Sequence, residues 1–289
     1  MDLRKTSLSS GKVNCDGFQG DTIHTIIVSR LRAAGCVFAE DETRLLISAA
    51  RTPADLAVMV DRRVTGLPLE HVIGWAEFCG LRIVVNPGVF VPRQRTKFLV
   101  RQAADLTRPG AIVVDLCCGS GAVGVALAAA QERIELYAAD IDPAAVRCAR
   151  RNVIAAGGHV YEGDLYDSLP STLRGRVDVL VVNAPYVPTE AIGMLPLEAR
   201  IHEAIVALDG GSDGLDVQRR VATGAPLWLA PGGHLLVETS ERQAPKTVEI
   251  FVCNGLIPHV ARFDELDATV VIGTKPDLQS NGATSPVRK

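Results

Sequence analysis

From residue 111 onward, β-branched apolar runs alternate with helical runs, and few folds accept that pattern. The strand-like runs are 111–116, 134–140, 159–164, 177–183 and 234–239. The helical runs are 122–131, 143–156, 215–229 and 242–254. Strands separated by a helix pair in parallel, and the helices then cover both faces of the sheet. A last pair of strands, 258–263 and 269–274, is separated only by a turn at 264–267, so its members should be antiparallel neighbours at the sheet's edge. The pattern predicts an α/β fold on a doubly wound, mostly parallel, seven-stranded sheet. The stretch 111–130 is apolar enough to suggest a membrane span, but Asp115 and three glycines interrupt it. A buried strand running into a buried helix is the better reading.

Ahead of this region the pattern differs. Residues 1–19 are polar and aperiodic and read as disordered. Residues 20–70 read as a small helical domain of three short helices. Ile23, Ile26, Ile27 and Leu31 share one face, Leu45, Leu46, Leu56, Val60 and Val64 continue the pattern, and Pro53 suits a first turn. Residues 71–95 read as a β-hairpin linker, with its turn at Asn86-Pro87-Gly88 and a second strand at 89–91. Thr96 is placed to cap the helix that follows. Residues 96–276 form the α/β domain, and 277–289 are a polar, disordered tail.

Composition argues against several partners. A net charge of −3 gives no basic field for stable nucleic-acid binding or for an anionic membrane. The seven cysteines are odd in number and without CxxC spacing, and the six histidines lack metal spacing, so no metal is expected. Reduced thiols and the lack of an apolar leader point to a cytoplasmic protein.

The chemistry concentrates at the predicted strand ends. Asp115-Leu-Cys-Cys-Gly-Ser-Gly121 follows the first strand and opens a helix, and Gly119 and Gly121 permit a sharp turn and close passage of a ligand. Asp140 ends the second strand, 19 residues beyond Gly121, where a carboxylate can accept two ribose hydroxyls. Gly119-x-Gly121-x-x-Gly124 also matches a dinucleotide fingerprint. Asp115 would repel a pyrophosphate, however, and could bond the amino acid end of S-adenosylmethionine. That makes S-adenosylmethionine the expected cofactor, with Asp164 either on its adenine side or simply an exposed strand-end acid. Asp142-Pro143 reads only as a helix start.

Asn183-Ala184-Pro185-Tyr186 ends the fourth strand. A planar amide is a poor nucleophile because its lone pair is delocalised. Two acceptors, the Asn183 side chain and the Ala184 carbonyl, can hold its N–H groups in line with a methyl donor. Pro185 keeps Ala184 extended, and Tyr186 can stack on a planar acceptor.

With these motifs in order, the chain resembles the HemK family, protein-(glutamine-N5) methyltransferases that modify peptide-chain release factors. The resemblance covers about residues 67–274. It includes Pro68-Leu-Glu-His-Val-Ile-Gly-Trp75, Val91-Pro-Arg-Gln-Arg-Thr96, the glycine loop, Asp140, Asn183–Tyr186, Glu203 with Ala207-Leu-Asp-Gly-Gly-Ser-Asp-Gly-Leu215, and Pro231-Gly-Gly-His-Leu-Leu-Val-Glu238. It implies a Rossmann-like methyltransferase fold, with cofactor contacts at Cys117, Cys118, Gly119, Ser120 and Gly121. It also implies ribose contact at Asp140, Leu165 beside the adenine, and Asn183 touching both cofactor and substrate. The 20–70 helices would be the substrate-recognition domain. The departures are Ala184 for the family's first proline, Ala204 after Glu203, the two loop cysteines, and Arg95 and Lys97 at usually acidic positions.

The acceptor therefore has two candidates: a glutamine in a protein such as a release factor, or a small-molecule metabolite methylated by a diverged relative. Charge reversal at residues 95 and 97 favours the metabolite; the helical domain and the Glu203 segment favour the protein. DNA adenine methylation lacks a phosphate-gripping surface here. A catalytically silent cofactor-binding module and a dehydrogenase are the remaining alternatives.

Overall fold

Residues 112–116, 135–140, 159–162, 177–182 and 229–239 pair side by side in parallel, as their separation by helices requires. A computed structural model describes residues 15–277 of the chain, with side chains from residue 21. The chain divides into two compact units, up to Ile73 and from Gly74.

The first unit holds α1 (Cys15–Ala33), α2 (Ala39–Ala49), α3 (Pro53–Val64) and α4 (Leu69–Ile73). Helix α1 begins inside the segment read as disordered; residues 1–14 and 278–289, the rest of both tails, lie outside the described residues. Thr52 caps α3 by accepting from the Asp55 N–H, with Pro53 in the first turn. The core gathers Ile27, Val28, Leu31, Leu46, Val60 and Val72. Ile23 and Ile26 do not share it and are about half exposed, so the buried stripe of α1 is set by Ile27, Val28 and Leu31.

In the second unit, β1 (Trp75–Phe78) and β2 (Leu81–Val84) form an antiparallel hairpin. Its turn is at Cys79-Gly80, not at Asn86-Pro87-Gly88. Both turn residues have positive φ, 52° and 77°, which a two-residue hairpin turn requires. Residues 89–91 form no second strand because Glu203 claims their backbone: Gly88 bridges to it, and the Val91 N–H donates to its carboxylate at 3.2 Å. Thr96 makes no capping bond to α5 (Lys97–Leu106), since a 3-10 turn, Gln94–Thr96, precedes that helix.

The main sheet uses β3 (Ile112–Leu116), β4 (Glu135–Asp140), β5 (His159–Glu162), β6 (Val177–Val182), β7 (Leu229–Thr239), β8 (Ile257–Phe263) and β9 (Ala268–Thr274), in the order β5-β4-β3-β6-β7-β9-β8. The helices α6 (Ala122–Ala130), α7 (Pro143–Val153), α9 (Asp216–Trp228) and α10 (Ala244–Cys253) connect them, and a short α8 (Leu197–His202) follows β6. The last two strands are antiparallel as expected, but only β8 is an edge; β9 lies between it and β7. Strand β7 starts five residues earlier than its pattern suggests, with a register shift opposite Val177–Val179. Gly233 sits at that irregularity, where a Cβ would come 2.7 Å from the Val177 carbonyl.

Side chains of β3 alternate between two apolar layers: Val113 joins one with Leu99, Leu127 and Val181, and Val114 joins the other with Leu180, Trp228 and Phe251. Asp115 and the glycines divide 111–130 into β3 and α6, and among the described residues no helix is long and apolar enough to cross a membrane. Leu180 is fully buried at the centre of its layer. Leu180→Ala is therefore expected to cost about 2–5 kcal/mol in urea denaturation; a loss below ~1 kcal/mol would mean this layer is not the core of the domain.

Candidate active site

The parallel register brings three strand ends to one level. Leu116 pairs with Ala139 on one side and Val182 on the other, so the loop after β3, Asp140 at the end of β4 and Asn183 after β6 are neighbours. Chain order reverses at β3, which places them at the sheet's topological switch point.

The loop turns through left-handed backbone at Cys117, Gly119 and Gly121, with φ of 55°, 57° and 78°. Glycine is needed at 121 for space as well, because a Cβ would lie 2.6 Å from Val153 Cγ2. At Gly119 a Cβ would meet nothing within 4 Å, so the loop leaves an open cradle above it. The Asp140 carboxylate fixes the loop: Oδ2 accepts from the Gly119 N–H at 2.8 Å, and Oδ1 accepts from the Asp142 N–H at 2.9 Å. Burial raises the Asp140 pKa, against the pull of those N–H donors.

Asp115 sits deeper than a rim residue, 2% exposed, with Oδ2 accepting from the Gly124 N–H at 2.9 Å. Burial lifts its pKa to about 7, and the nearby Asp140 adds to the rise. Burial likewise raises the Cys117 and Cys118 thiols, so both stay protonated. Asp164 is half-buried and pairs with Arg220 at 2.7 Å, while Leu165 beside it has a φ of 49° and packs on the sheet's second layer.

Asn152 was invisible as a site residue in the sequence. From α7 it donates to the Ser120 and Val84 carbonyls and accepts from the Val84 N–H, tying the β1–β2 hairpin to the glycine loop. Its only signal is one polar residue on the buried face of an amphipathic helix.

The Asn183–Tyr186 segment is held from several sides. Ala184 is 1% exposed within the second layer. The Tyr186 carbonyl accepts from Gln243 Nε2 at 2.9 Å, and Val187 exchanges backbone hydrogen bonds with Leu208 and Gly210. The glycines of 208–214 allow this approach, since a Cβ on Gly214 would lie 2.2 Å from the Tyr186 carbonyl and one on Gly210 2.7 Å from that of Pro185.

Asn183 Nδ2 donates to Thr96 Oγ1 at 3.4 Å. Buried Thr96 thus supports the site instead of capping a helix. The Tyr186 hydroxyl accepts from Arg95 and donates to Glu238 Oε1 at 3.5 Å, and Arg95 Nε lies 3.4 Å from the same oxygen. Burial pushes the Tyr186 phenol up to about 12. Burial also raises Glu238, whose Oε2 is buried without a partner. Glu203 is similar: Oε1 accepts from Arg93 at 2.6 Å, and Oε2 is buried and unpaired. Lys97 pairs with Glu77 at 3.2 Å. Glu238 had one sequence signal, a lone acid closing an apolar strand.

The sequence matches the model of the methyltransferase small domain over residues 80–213. A release factor glutamine methyltransferase of Geobacter sulfurreducens is 38% identical over 208 residues, covering 70% of this chain and 72% of that protein. The chain belongs to the HemK family of methyltransferases. Another relative, the 4-amino-L-phenylalanine/4-methylamino-L-phenylalanine methyltransferase of Streptomyces pristinaespiralis, is 33% identical over 90% of this chain and 89% of its own length. Among solved structures, a methyltransferase from Pyrococcus furiosus shares the fold, with a TM-score of 0.54 at 17% identity, covering 75% of this chain and 97% of that one.

Two outcomes are expected from the loop's supports. Asn152→Ala strands three backbone groups, so it should cost about 1–3 kcal/mol of stability and weaken nucleoside binding to the loop. Calorimetric titration with S-adenosylhomocysteine checks the second effect, and an unchanged Kd would separate Asn152 from the loop. For Asp115, the folded-state pKa of about 7 exceeds the ordinary 3.8. The folded chain therefore keeps a proton that the unfolded chain releases, and stability falls as pH rises between those values. Asp115→Asn keeps an acceptor for Gly124 and should remove that fall, gaining roughly 1–4 kcal/mol over the parent at pH 8. Parallel denaturation curves at pH 4 and 8 measure the difference, and equal slopes for both proteins would contradict it.

Proposed function

We propose that the enzyme transfers the methyl group of S-adenosylmethionine to the N5 amide nitrogen of a glutamine in a protein, a release factor being the substrate named for its relatives. One observation carries this reading: Leu116 pairs with Val182, setting the glycine loop and the Asn183–Tyr186 segment on adjacent strand ends. Adjacent strands lie about 4.8 Å apart, close enough for a donor on one and an acceptor on the other to meet.

The residues fit this cofactor's chemistry better than that of a dinucleotide. Asp115 Oδ2 takes the Gly124 N–H and Asp140 Oδ2 the Gly119 N–H, loop donors that a pyrophosphate would need. Gly119 and its open cradle leave room for a nucleoside, Asp140 would take the ribose hydroxyls, and Leu165 would lie along the base. When bound, S-adenosylmethionine supplies a methyl group made electrophilic by its sulfonium.

The chain's own residues handle the acceptor. Asn183 gives its amide N–H to Thr96, which leaves the side-chain oxygen to accept an N–H of the substrate amide. The Ala184 carbonyl takes the second N–H, and the Tyr186 ring stacks on the amide plane. With both N–H groups held, the nitrogen lone pair is turned toward the donor. The methylated nitrogen becomes strongly acidic and gives its extra proton to water, so no side-chain base is needed.

A second reading, a carboxylate-bearing small-molecule amine, is favoured by Arg95 at Tyr186 and by the Streptomyces pristinaespiralis relative, which matches nearly end to end. Incubation with methyl-labelled S-adenosylmethionine and cell extract, followed by separation of products by size, distinguishes the two. Label is expected in a protein band, with kcat/KM lowered about a hundredfold or more in Asn183→Ala. Label confined to small molecules would move the assignment to the second reading. An Asn183→Ala enzyme within threefold of the parent would refute the clamp.

A further inference from the structure

We propose that Arg95 is a specificity-determining residue, anchoring a carboxylate that the acceptor carries beside the nitrogen to be methylated. The inference rests on the reading that Asn183–Tyr186 hold the acceptor, and it adds the chemical class of what they hold.

Arg95 occupies the 3-10 turn ahead of α5 and lies against the acceptor-facing motif. Its Nε approaches Glu238 Oε1 at 3.4 Å, one terminal nitrogen donates to the Tyr186 hydroxyl, and its guanidinium centre is 5.7 Å from the Tyr186 ring centroid. These contacts use two of five N–H donors. The side chain is 43% exposed, so solvent reaches it beside the ring on which the acceptor would stack.

Each of the three cations here has one carboxylate partner. Arg93 has its own carboxylate in Glu203, and Lys97 has Glu77. Among the described residues Arg95 pairs with Glu238, whose carboxylate is 3% exposed and shared with the Tyr186 hydroxyl. Glu238 thus meets the guanidinium at its Nε from a buried position. A planar guanidinium with parallel N–H bonds to spare matches a carboxylate, and matches poorly a neutral amide or a second cation.

The carboxylate could belong to a free amino-acid-like or aminobenzoate-like molecule, or to an acidic residue flanking a glutamine in a peptide. Charge-assisted contacts of this kind are worth roughly tenfold to a hundredfold in binding.

The test uses the full chain and matched pairs that differ only in the carboxylate. One pair is 4-aminobenzoate and 4-aminobenzamide; the other is a glutamine peptide with flanking glutamate and the same peptide with flanking glutamine. Each is assayed for methyl transfer with the parent, Arg95→Gln and Arg95→Glu. In parallel, arginine-15N-labelled protein saturated with S-adenosylhomocysteine is titrated with benzoate and with benzamide. The Arg95 Nε–H signal is identified by its loss in Arg95→Gln.

The carboxylate member of a methylated pair should win by at least tenfold in kcat/KM, chiefly through KM. Arg95→Gln should level the pair and Arg95→Glu reverse it. The Arg95 signal should move with benzoate and not with benzamide. The pair that takes label identifies the source of the carboxylate, free molecule or peptide. If neither pair is labelled, the titration decides: movement with benzoate alone supports the anchor, and no movement overturns it. Equal turnover of paired members, or a preference that survives Arg95→Gln, also overturns it while leaving the methyltransferase reading intact. Failure to bind S-adenosylhomocysteine at all would instead remove the reading beneath it.

Discussion

Everything at this site depends on the pairing of Leu116 with Ala139 on one side and Val182 on the other. A parallel sheet sends every strand's C-terminal end to the same rim, but register decides which ends are level. A slip of one residue on β6 would turn Val182 and its neighbours to the opposite face and carry Asn183 away from the loop. That register is enforced from both sides. Val179 and Val181 pack with one apolar layer, and Leu180 and Val182 pack with the other. The hydrophobic core therefore aligns the strand ends, and Ala184 itself lies within its second layer.

A second layer of control comes from close backbone approach. The glycine loop and the Asn183–Tyr186 segment are irregular, and irregular backbone keeps a fixed shape only when its polar groups are paired. Asp140 and Asn152 pair the first, and Gln243, Leu208 and Gly210 pair the second. Gly121, Gly210 and Gly214 are needed because any side chain there would collide with neighbouring atoms. The long glycine-rich run 208–214 is thus the bed on which the reactive segment lies.

The sequence made the sheet readable because parallel strands buried on both faces leave unbroken apolar runs, and strand ends carry the ligand groups. It put Asp140 and Asn183 at such ends, where the sheet has them. It failed where the deciding partner was distant in the chain. Nothing local says that Glu203 would claim the backbone of 89–91, so the Asn86-Pro87-Gly88 turn looked like a hairpin tip and Cys79-Gly80 did not. Thr96 read as a cap because its true neighbour, Asn183, lies 87 residues away. Glu238 and Asn152 each showed only one polar residue in an apolar pattern, which marks a buried polar contact without naming its partner.

Ala184 tests how far a family pattern can be read as physics. A proline there would fix φ by its ring, and alanine gives that up, which suggests a looser clamp. The structure places the restraint elsewhere. Ala184 is almost wholly buried in the second apolar layer, Pro185 follows it, and the Tyr186 carbonyl and Val187 are bonded to two other parts of the chain. Conformational entropy removed by tertiary contacts is as lost as entropy removed by a ring. The segment is therefore restrained without the ring. The departure left to weigh is the charge at residue 95, because a partly exposed guanidinium beside the Tyr186 ring changes the electrostatics of this rim.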